Sequence, residues 1–225
     1  MEKLLNVKKL SVPAGDRLEA FQLPALLDDN GIAFNQIACV NWPEAYPYRP
    51  DVTFRVAYDG NEIFLEFRVR ERAAAAAASH DQGEVWKDSC VEFFAALPQE
   101  GTEPAMRKYF NFECNCIGKL LLHYGAKGNR SALPAEIVGS VRRWSSLGDT
   151  PFEEKGPVSW NLVEIIPASV IFGEALNSLS GKTLLANFYK CGDNLSVPHF
   201  LSWAPISSPE PAFHLPAFFG KIIFE

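Results

Sequence analysis

The sequence predicts an all-β protein, an immunoglobulin-like or jelly-roll sandwich of roughly ten strands with one short helix. Segments in which apolar and polar residues alternate recur along the chain, and turn-forming residues separate them. Segments with helical periodicity are rare, and 48% hydrophobic content is enough for a sizeable core. The composition shows no break, so a single domain is expected over residues 1–225.

The N-terminal part is predicted to be mostly extended. Residues 7–12 are expected to form a first strand and residues 32–42 a second one. Between them, Pro24 argues against a long helix over residues 18–27. Three prolines in residues 43–50 indicate an extended or turning connection.

The clearest supersecondary signal is a β-hairpin. Residues 52–58 and 62–70 both alternate, and residues 59–61 (Asp-Gly-Asn) have the composition of a tight turn. One face of this hairpin is expected on the core and the other in water. Residues 73–78 are six alanines, which by propensity predict a short helical turn.

A loop at residues 86–89 is predicted to enter a strand at residues 90–94, in which Glu92 points away from its apolar neighbours. Residues 109–115 are expected to form another strand with residues 120–124 as its partner. Its predicted faces are Phe110, Phe112 and Cys114 on one side and Tyr109, Asn111, Glu113 and Asn115 on the other.

The remaining elements follow the same period. Further strands are expected at residues 135–144, 158–167, 183–190, 199–205 and 218–224. Residues 168–179 are the best helix candidate, with Ser169 as its N-cap.

Charge and hydropathy argue against nucleic acid and the membrane interior as partners of this protein. A net charge of −6 without a basic run argues against nucleic-acid binding. No apolar segment is long enough to span a membrane. The first ten residues lack the apolar region of a secretory signal. The chain therefore looks cytoplasmic as written, and periplasmic or extracellular if a leader has been removed. The compartment and the oligomeric state stay open.

Cysteine and carboxylate patterns do not indicate a known catalytic motif. The five cysteines are an odd number without a regular framework, and Cys114 and Cys116 are expected to be small buried hydrophobes. Asp88 and Glu92 would lie roughly 13 Å apart along one strand, which is too far for a glycosidase pair. Pairing of Glu113 with another carboxylate stays open, so an enzyme is not expected but remains an alternative.

One stretch combines an indole with a carboxylate. Trp86 lies six residues before Glu92, close enough to flank the same face of a sheet. An aromatic ring that packs on C–H groups, beside a carboxylate that accepts from hydroxyl groups, is what a sugar requires. The competing interpretation is a surface tryptophan with a solvated strand glutamate.

Four blocks in order resemble the family 9 carbohydrate-binding modules and their bacterial relatives. They are residues 86–94, 109–113, 164–167 and 213–222. About 50 N-terminal residues exceed the minimal module, and their Asn-Trp followed by a Tyr-Pro-rich turn resembles the longer members. The resemblance implies a β-sandwich that binds the end of a glycan or a short saccharide without cleaving it, in bacterial polysaccharide utilisation.

The resemblance also implies the site. The expected carbohydrate-binding residues are Trp86, Glu92, Asn111, Lys190, Phe213 and His214. Trp86 matches the first of two clamping rings, and Phe213 falls where the second ring is a tryptophan in well-known members. Asn111 falls where those members have a binding arginine, and an asparagine lacks the guanidinium fork.

The resemblance leaves cofactors and two alternatives open. No cofactor is expected, although family members carry structural calcium, for which no acidic run can be assigned here. One alternative is a saccharide-acting enzyme with a second carboxylate close to Glu92 or Glu113 in a deep cleft. The other is a structural or interaction domain with a degenerate sugar site, in which Phe213 turns into the core and residues 73–78 cover Trp86.

Overall fold

A computed structural model describes residues 3–12 and 18–225. The strands are β1 (Leu4–Lys9), β2 (Asn35–Gln36), β3 (Cys39–Val40), β4 (Asp51–Tyr58), β5 (Glu62–Glu71), β6 (Ala74–Ala76), β7 (Cys90–Ala96), β8 (Tyr109–Asn115), β9 (Leu120–Ala126), β10 (Asn129–Ala132), β11 (Arg142–Ser145), β12 (Phe152–Lys155), β13 (Val158–Pro167), β14 (Thr183–Cys191), β15 (Phe200–Ser202) and β16 (Gly220–Phe224). The helices are α1 (Leu23–Asp29), α2 (Ala135–Ser140) and α3 (Ala168–Phe172), and 3₁₀ turns lie at Ala20–Gln22, Val85–Lys87, Pro104–Met106 and Pro216–Phe218.

Two sheets share strand β1 and fold over each other. The front sheet has the order β10-β9-β8-β7-β14-β16-β1, and the back sheet has the order β1-β4-β5-β13-β11. Strand β1 runs parallel to both β16 and β4, whereas the pairings within the two sheets are antiparallel. A two-stranded ribbon of β6 and β12 lies outside this path. The predicted all-β sandwich is confirmed.

The main core lies between the sheets and is built from the inward members of each alternating strand. Phe188 of the front sheet stacks on Phe54 of the back sheet, with ring centroids 3.8 Å apart, and on Phe93 at 5.0 Å. All three rings are buried. Burial of each such ring contributes about 2–3 kcal/mol to folding, so this inter-sheet stack is a large part of the stability.

Each sheet also has an outward face with its own apolar cluster. The outer face of the back sheet packs against the 3₁₀ turn at Ala20–Gln22 and helix α1, which contributes Leu23 and Leu27. The outer face of the front sheet packs against residues 200–219 and the turn that carries Trp86. This second cover is incomplete and leaves a cavity.

Several local predictions are confirmed. The hairpin of β4 and β5 pairs Tyr58 with Ile63 around the predicted turn. Its second face, which was predicted to lie in water, is instead buried at Arg55, Phe64 and Glu66, because helix α1 covers it. The two predicted faces of β8 are also correct, since Phe110, Phe112 and Cys114 belong to the inter-sheet core. Among the described residues no helix is both long and apolar enough to cross a bilayer.

Other local predictions are wrong. Three of the six alanines, Ala74–Ala76, form strand β6 rather than a helical turn, because pairing with β12 outweighs alanine's helix propensity. The helix predicted over residues 168–179 ends at Phe172, where Gly173 adopts a φ of 81°. Residues 135–144 form helix α2 followed by strand β11, and residues 32–42 contain only the two-residue strands β2 and β3. The first strand is Leu4–Lys9, three residues earlier than predicted.

Candidate functional site

A cavity of about 350 Å³ opens on the outer face of the front sheet. Its floor consists of side chains from strands β7, β8, β9 and β14, namely Glu92, Asn111, Glu113, Leu121, His123 and Cys191. Its walls are formed mainly by Trp86, Arg130, Asp193, Phe200, Phe213 and His214. Its volume lies within the range of pockets that hold small organic ligands.

The strand register places two carboxyl groups side by side on the floor. Glu92 of β7 lies directly opposite Glu113 of β8, and both point outward because their neighbours in sequence point to the core. The two residues are only 3% and 4% exposed. Directly opposed residues on antiparallel strands have Cβ atoms about 5 Å apart, so the two carboxyl groups share one small region.

Burial raises the pKa of both carboxyl groups. Burial raises the pKa of Glu113 to about 7, although a hydrogen bond from Asn111 and the positive charge of Arg130 oppose this rise. Burial, and after it the neighbouring Cys191 and Glu113, raise the pKa of Glu92 well above its ordinary value. A protonated carboxyl both donates and accepts hydrogen bonds, so this pair suits hydroxyl groups, which do the same.

The floor also contains an acceptor that the described residues leave without a partner. Asn111 donates from Nδ2 to Glu113 Oε1 at 2.8 Å, but no described residue hydrogen-bonds its buried Oδ1. A buried carbonyl oxygen that lacks a partner costs about 1–3 kcal/mol. A donor from a ligand in the cavity would remove this cost.

Trp86 is a half-buried wall of the cavity. It lies in the 3₁₀ turn Val85–Lys87, and its carbonyl oxygen accepts from the amide of Asp193 and from the thiol of Cys191, both at 3.5 Å. These contacts tie the turn to the end of β14. The alanines of residues 75–78 line a separate groove with Asp88, so the indole keeps exposed surface toward the cavity.

Phe213 faces the cavity with only part of its ring. It is 8% exposed and stacks on Tyr189, with centroids 4.3 Å apart and planes 13° apart. It also packs near Trp42 and Phe200, at 6.3 and 6.2 Å. Phe213 therefore lines the cavity, but one face of its ring packs on Tyr189 inside the protein.

His214 and Arg130 form the opposite wall. The His214 ring stacks on Phe94 at 4.9 Å, and its Nδ1 lies 2.5 Å from Nη1 of Arg130. Burial, and after it the charge of Arg130, lower the pKa of His214 to about 3, so its imidazole is neutral. Arg130 comes from β10 and provides the cavity with a guanidinium that Asn111 cannot supply.

Lys190, predicted to bind carbohydrate, does not line this cavity. It pairs with Val91, so its side chain points to the inter-sheet side, opposite to Glu92. There it is fully buried, with Nζ 3.0 Å from Oε2 of Glu71 and 2.8 Å from Nε2 of His199. The alternation of Leu184, Ala186 and Phe188 already assigns Lys190 to the core side.

The structure brings five of the six predicted residues together: Trp86, Glu92, Asn111, Phe213 and His214. The sequence interpretation did not assign Glu113, Arg130 or Asp193 to the site. Alternation in β8 places Glu113 beside Asn111 and could have identified it. Arg130 lies in an exposed hairpin and carried no such signal.

Three groups at the edge of the floor could hold a metal ion. The ligand atoms of Cys90, Glu92 and Cys191 lie within 4.8 Å of one another, and all three residues are buried. Two thiols suit zinc and similar soft ions rather than calcium, which prefers oxygen ligands. This cluster therefore does not suit the structural calcium that members of the resembled family carry.

Comparisons with known proteins agree on one family. The family profile described as carbohydrate-binding family 9 matches residues 21–224. A crystal structure of a Bacteroides uniformis protein proposed to bind carbohydrate is 49% identical, with all of both chains covered and a TM-score of 0.91. No curated protein matches the chain.

More distant structures share the fold. A family 9 carbohydrate-binding module from Caldicellulosiruptor kristjanssonii in complex with glucose is 12% identical, with a TM-score of 0.61 over 99% of this chain and 96% of that one. A second structure of such a module from the same organism, in complex with cellotriose, is also 12% identical. Its TM-score is 0.59 over 99% of this chain and 94% of that one.

Proposed function

Because the chain belongs to carbohydrate-binding family 9, we propose that it binds the end of a neutral saccharide in the front-sheet cavity and does not cleave it. The observation that carries this proposal is the buried pair Glu92 and Glu113 beside the half-exposed ring of Trp86. The two carboxyl groups and the open Oδ1 of Asn111 would bind sugar hydroxyl groups. The indole would pack on the C–H face of the same sugar unit.

A glucose-type sugar is the first ligand to test. Related modules have been crystallised with glucose and with cellotriose. In this chain the cavity contains one guanidinium, from Arg130, and three carboxyl side chains, from Glu92, Glu113 and Asp193. An anionic sugar would find one cation and three carboxyl side chains here, so a neutral sugar fits better.

The decisive experiment is titration calorimetry with glucose and cellotriose. We expect Trp86→Ala to weaken binding at least about tenfold, since an aromatic platform contributes on the order of 1.4 kcal/mol or more. Trp144→Ala is the matched control, because it removes another half-buried indole, from strand β11 of the back sheet. If wild-type protein binds neither sugar, or if the two variants behave alike, the proposal fails.

Glycoside hydrolysis is a second candidate because Glu92 and Glu113 are direct neighbours. Retaining glycosidases use two carboxyl groups about 5 Å apart that flank the scissile bond. Here both groups rise from the same sheet face, so both would approach a ligand from one side. We therefore expect no product when the protein is incubated with cellotriose. Release of glucose that Glu113→Gln abolishes would favour hydrolysis instead.

A further inference from the structure

A second cavity, of about 790 Å³, opens beside the first. Its walls are residues 41–46, which include the Asn-Trp pair and the start of the proline-rich turn, and residues 208–211. Asp193, Phe200 and Pro211 line both cavities. A ligand that protrudes from the first cavity can therefore continue into the second one without crossing a separate wall.

Aromatic rings form a continuous surface between the two cavities. Trp42 lies 6.3 Å from Phe213 in the first cavity and 6.5 Å from Phe200 at the junction. Tyr46 then packs on Phe200, with centroids 4.8 Å apart. Trp42 is buried within this surface, whereas Tyr46 is only half-buried and leaves part of its ring exposed to the second cavity.

Hydrogen bonds hold the two walls of this second cavity together. Trp42 donates from Nε1 to the carbonyl oxygen of Ser208 at 2.8 Å, which joins one wall to the other. Asn41 accepts from the amide of Ile206 at 2.9 Å, and the amide of Tyr46 donates to the carbonyl oxygen of Trp42 at 2.8 Å. The cavity is thus preformed, which reduces the entropy that a ligand must lose there.

The polar groups of the second cavity suit hydroxyl groups. Glu44 and Glu210 are exposed at its rim, and neither forms an ion pair with any described residue. Asp193 stands at the junction. The second cavity therefore combines carboxylates with the partly exposed ring of Tyr46. Trp86 and Glu92 provide the same combination in the first cavity.

We propose that this second cavity binds the second and following sugar units of a saccharide whose end occupies the first cavity. Tyr46 would stack on the second unit, and the rim carboxylates would accept from its hydroxyl groups. The preferred ligand would then be a neutral oligosaccharide rather than a monosaccharide. This inference rests on the proposed function, because it needs a sugar in the first cavity to direct the chain.

Calorimetry with glucose, cellobiose and cellotriose tests the inference. Wild-type protein should bind cellotriose on the order of tenfold more tightly than glucose, because a second ring contributes stacking. Tyr46→Ala should reduce this ratio to near one by weakening the binding of cellotriose far more than that of glucose. Tyr46→Phe should keep the ratio, and Tyr124→Ala, an exposed tyrosine that lines neither cavity, is the matched control.

Saturation-transfer NMR on the wild-type protein gives a second test that requires no variant. With bound cellotriose, protons of two or more sugar units should receive saturation from the protein. Equal affinities for glucose and cellotriose, saturation confined to one unit, or a ratio that survives Tyr46→Ala would overturn the inference while leaving the proposed function intact. Absence of binding to all three sugars would overturn both.

Discussion

The outer faces of the two sheets each have a glutamate within an apolar strand, and the surroundings of the two glutamates differ. On the back sheet, Glu66 lies opposite Arg55, whose Nε donates to its Oε2 at 2.6 Å. Arg68 also donates to Glu66, at 2.8 Å. On the front sheet, Glu92 lies opposite Glu113. This neighbour is a second carboxyl group rather than a cation, and its charge raises the pKa of Glu92.

This difference explains why one face is closed and the other is open. Arg55 also donates to the carbonyl oxygen of Pro24 and to Asp28, so it fastens helix α1 over the back sheet. On the front sheet the residues opposite Glu92 are Glu113 and Tyr189, and Arg130 reaches the cavity only from the edge strand β10. A sealed cover would therefore bury two carboxyl groups with incomplete charge compensation. The cavity leaves these groups available to a ligand.

The largest effect on stability should follow from removing the ion pair between Arg55 and Glu66 on the back sheet. Arg55→Met leaves Glu66 buried without its main cation and releases helix α1. We expect the free energy of unfolding to fall by about 3–5 kcal/mol, as for other broken buried pairs. Urea denaturation measures this, and sugar affinity should be unchanged in the folded protein. A loss below about 1 kcal/mol would contradict the role given to this pair.

The stability of the protein should depend on pH through Glu113 on the front sheet. The pKa of Glu113 is raised from 4.5 to about 7, so the folded protein holds this proton more tightly than the unfolded chain does. Its contribution to stability is fully present below pH 4.5 and is lost as pH rises through about 7. The loss is about 3.5 kcal/mol, since one pKa unit corresponds to about 1.4 kcal/mol.

Glutamine substitutions at Glu113 and Glu66 should have opposite effects on stability at high pH. Glu113→Gln should remove most of this pH dependence and stabilise the protein at pH 8. Glu66→Gln should destabilise it at the same pH, because Arg55 then loses its anionic partner. Denaturation curves at pH 5 and pH 8 for both variants test the comparison. If both variants change stability in the same direction at pH 8, the contrast between the faces is wrong.

A smaller effect is expected at the one guanidinium of the cavity. Arg130→Ala should weaken sugar binding by about three- to tenfold, because a hydrogen bond from a charged donor is lost. Stability should change by less than about 1 kcal/mol, since Arg130 lies at the edge of the sheet. Lys127→Ala, in the same hairpin, is the control, and calorimetry is the measurement. Equal effects of the two variants would remove Arg130 from the site.

The smallest effect is expected for Arg68. Its side chain is 39% exposed, and it pairs with Glu66 and, at 3.6 Å, with Asp28. Solvent screens such a pair, so Arg68→Ala should lower the free energy of unfolding by less than about 1 kcal/mol. Thermal or urea denaturation checks this against Arg55→Met. A loss as large as that of Arg55→Met would show that both arginines compensate Glu66 equally.

Residues on alternating strands were the predictable part of the site. The sequence places Glu92 and Asn111 on outward faces, and the structure confirms both positions. Lys190 was predicted beside them, but alternation along β14 places its side chain between the sheets, away from the cavity. Arg130 was not predictable, because its approach depends on the pairing of β10 with β9 and on the close backbone packing at Gly125.

The sequence alone determined which residues alternate, and therefore that Glu92, Asn111 and Glu113 point away from the apolar residues of their strands. Alternation is a local property of two residues per period, so it can be seen without a partner strand. Only the tertiary structure decided that Glu92 meets Glu113 whereas Glu66 meets Arg55. Strand partners and covering segments are chosen by packing between residues far apart in the chain, which no local pattern specifies.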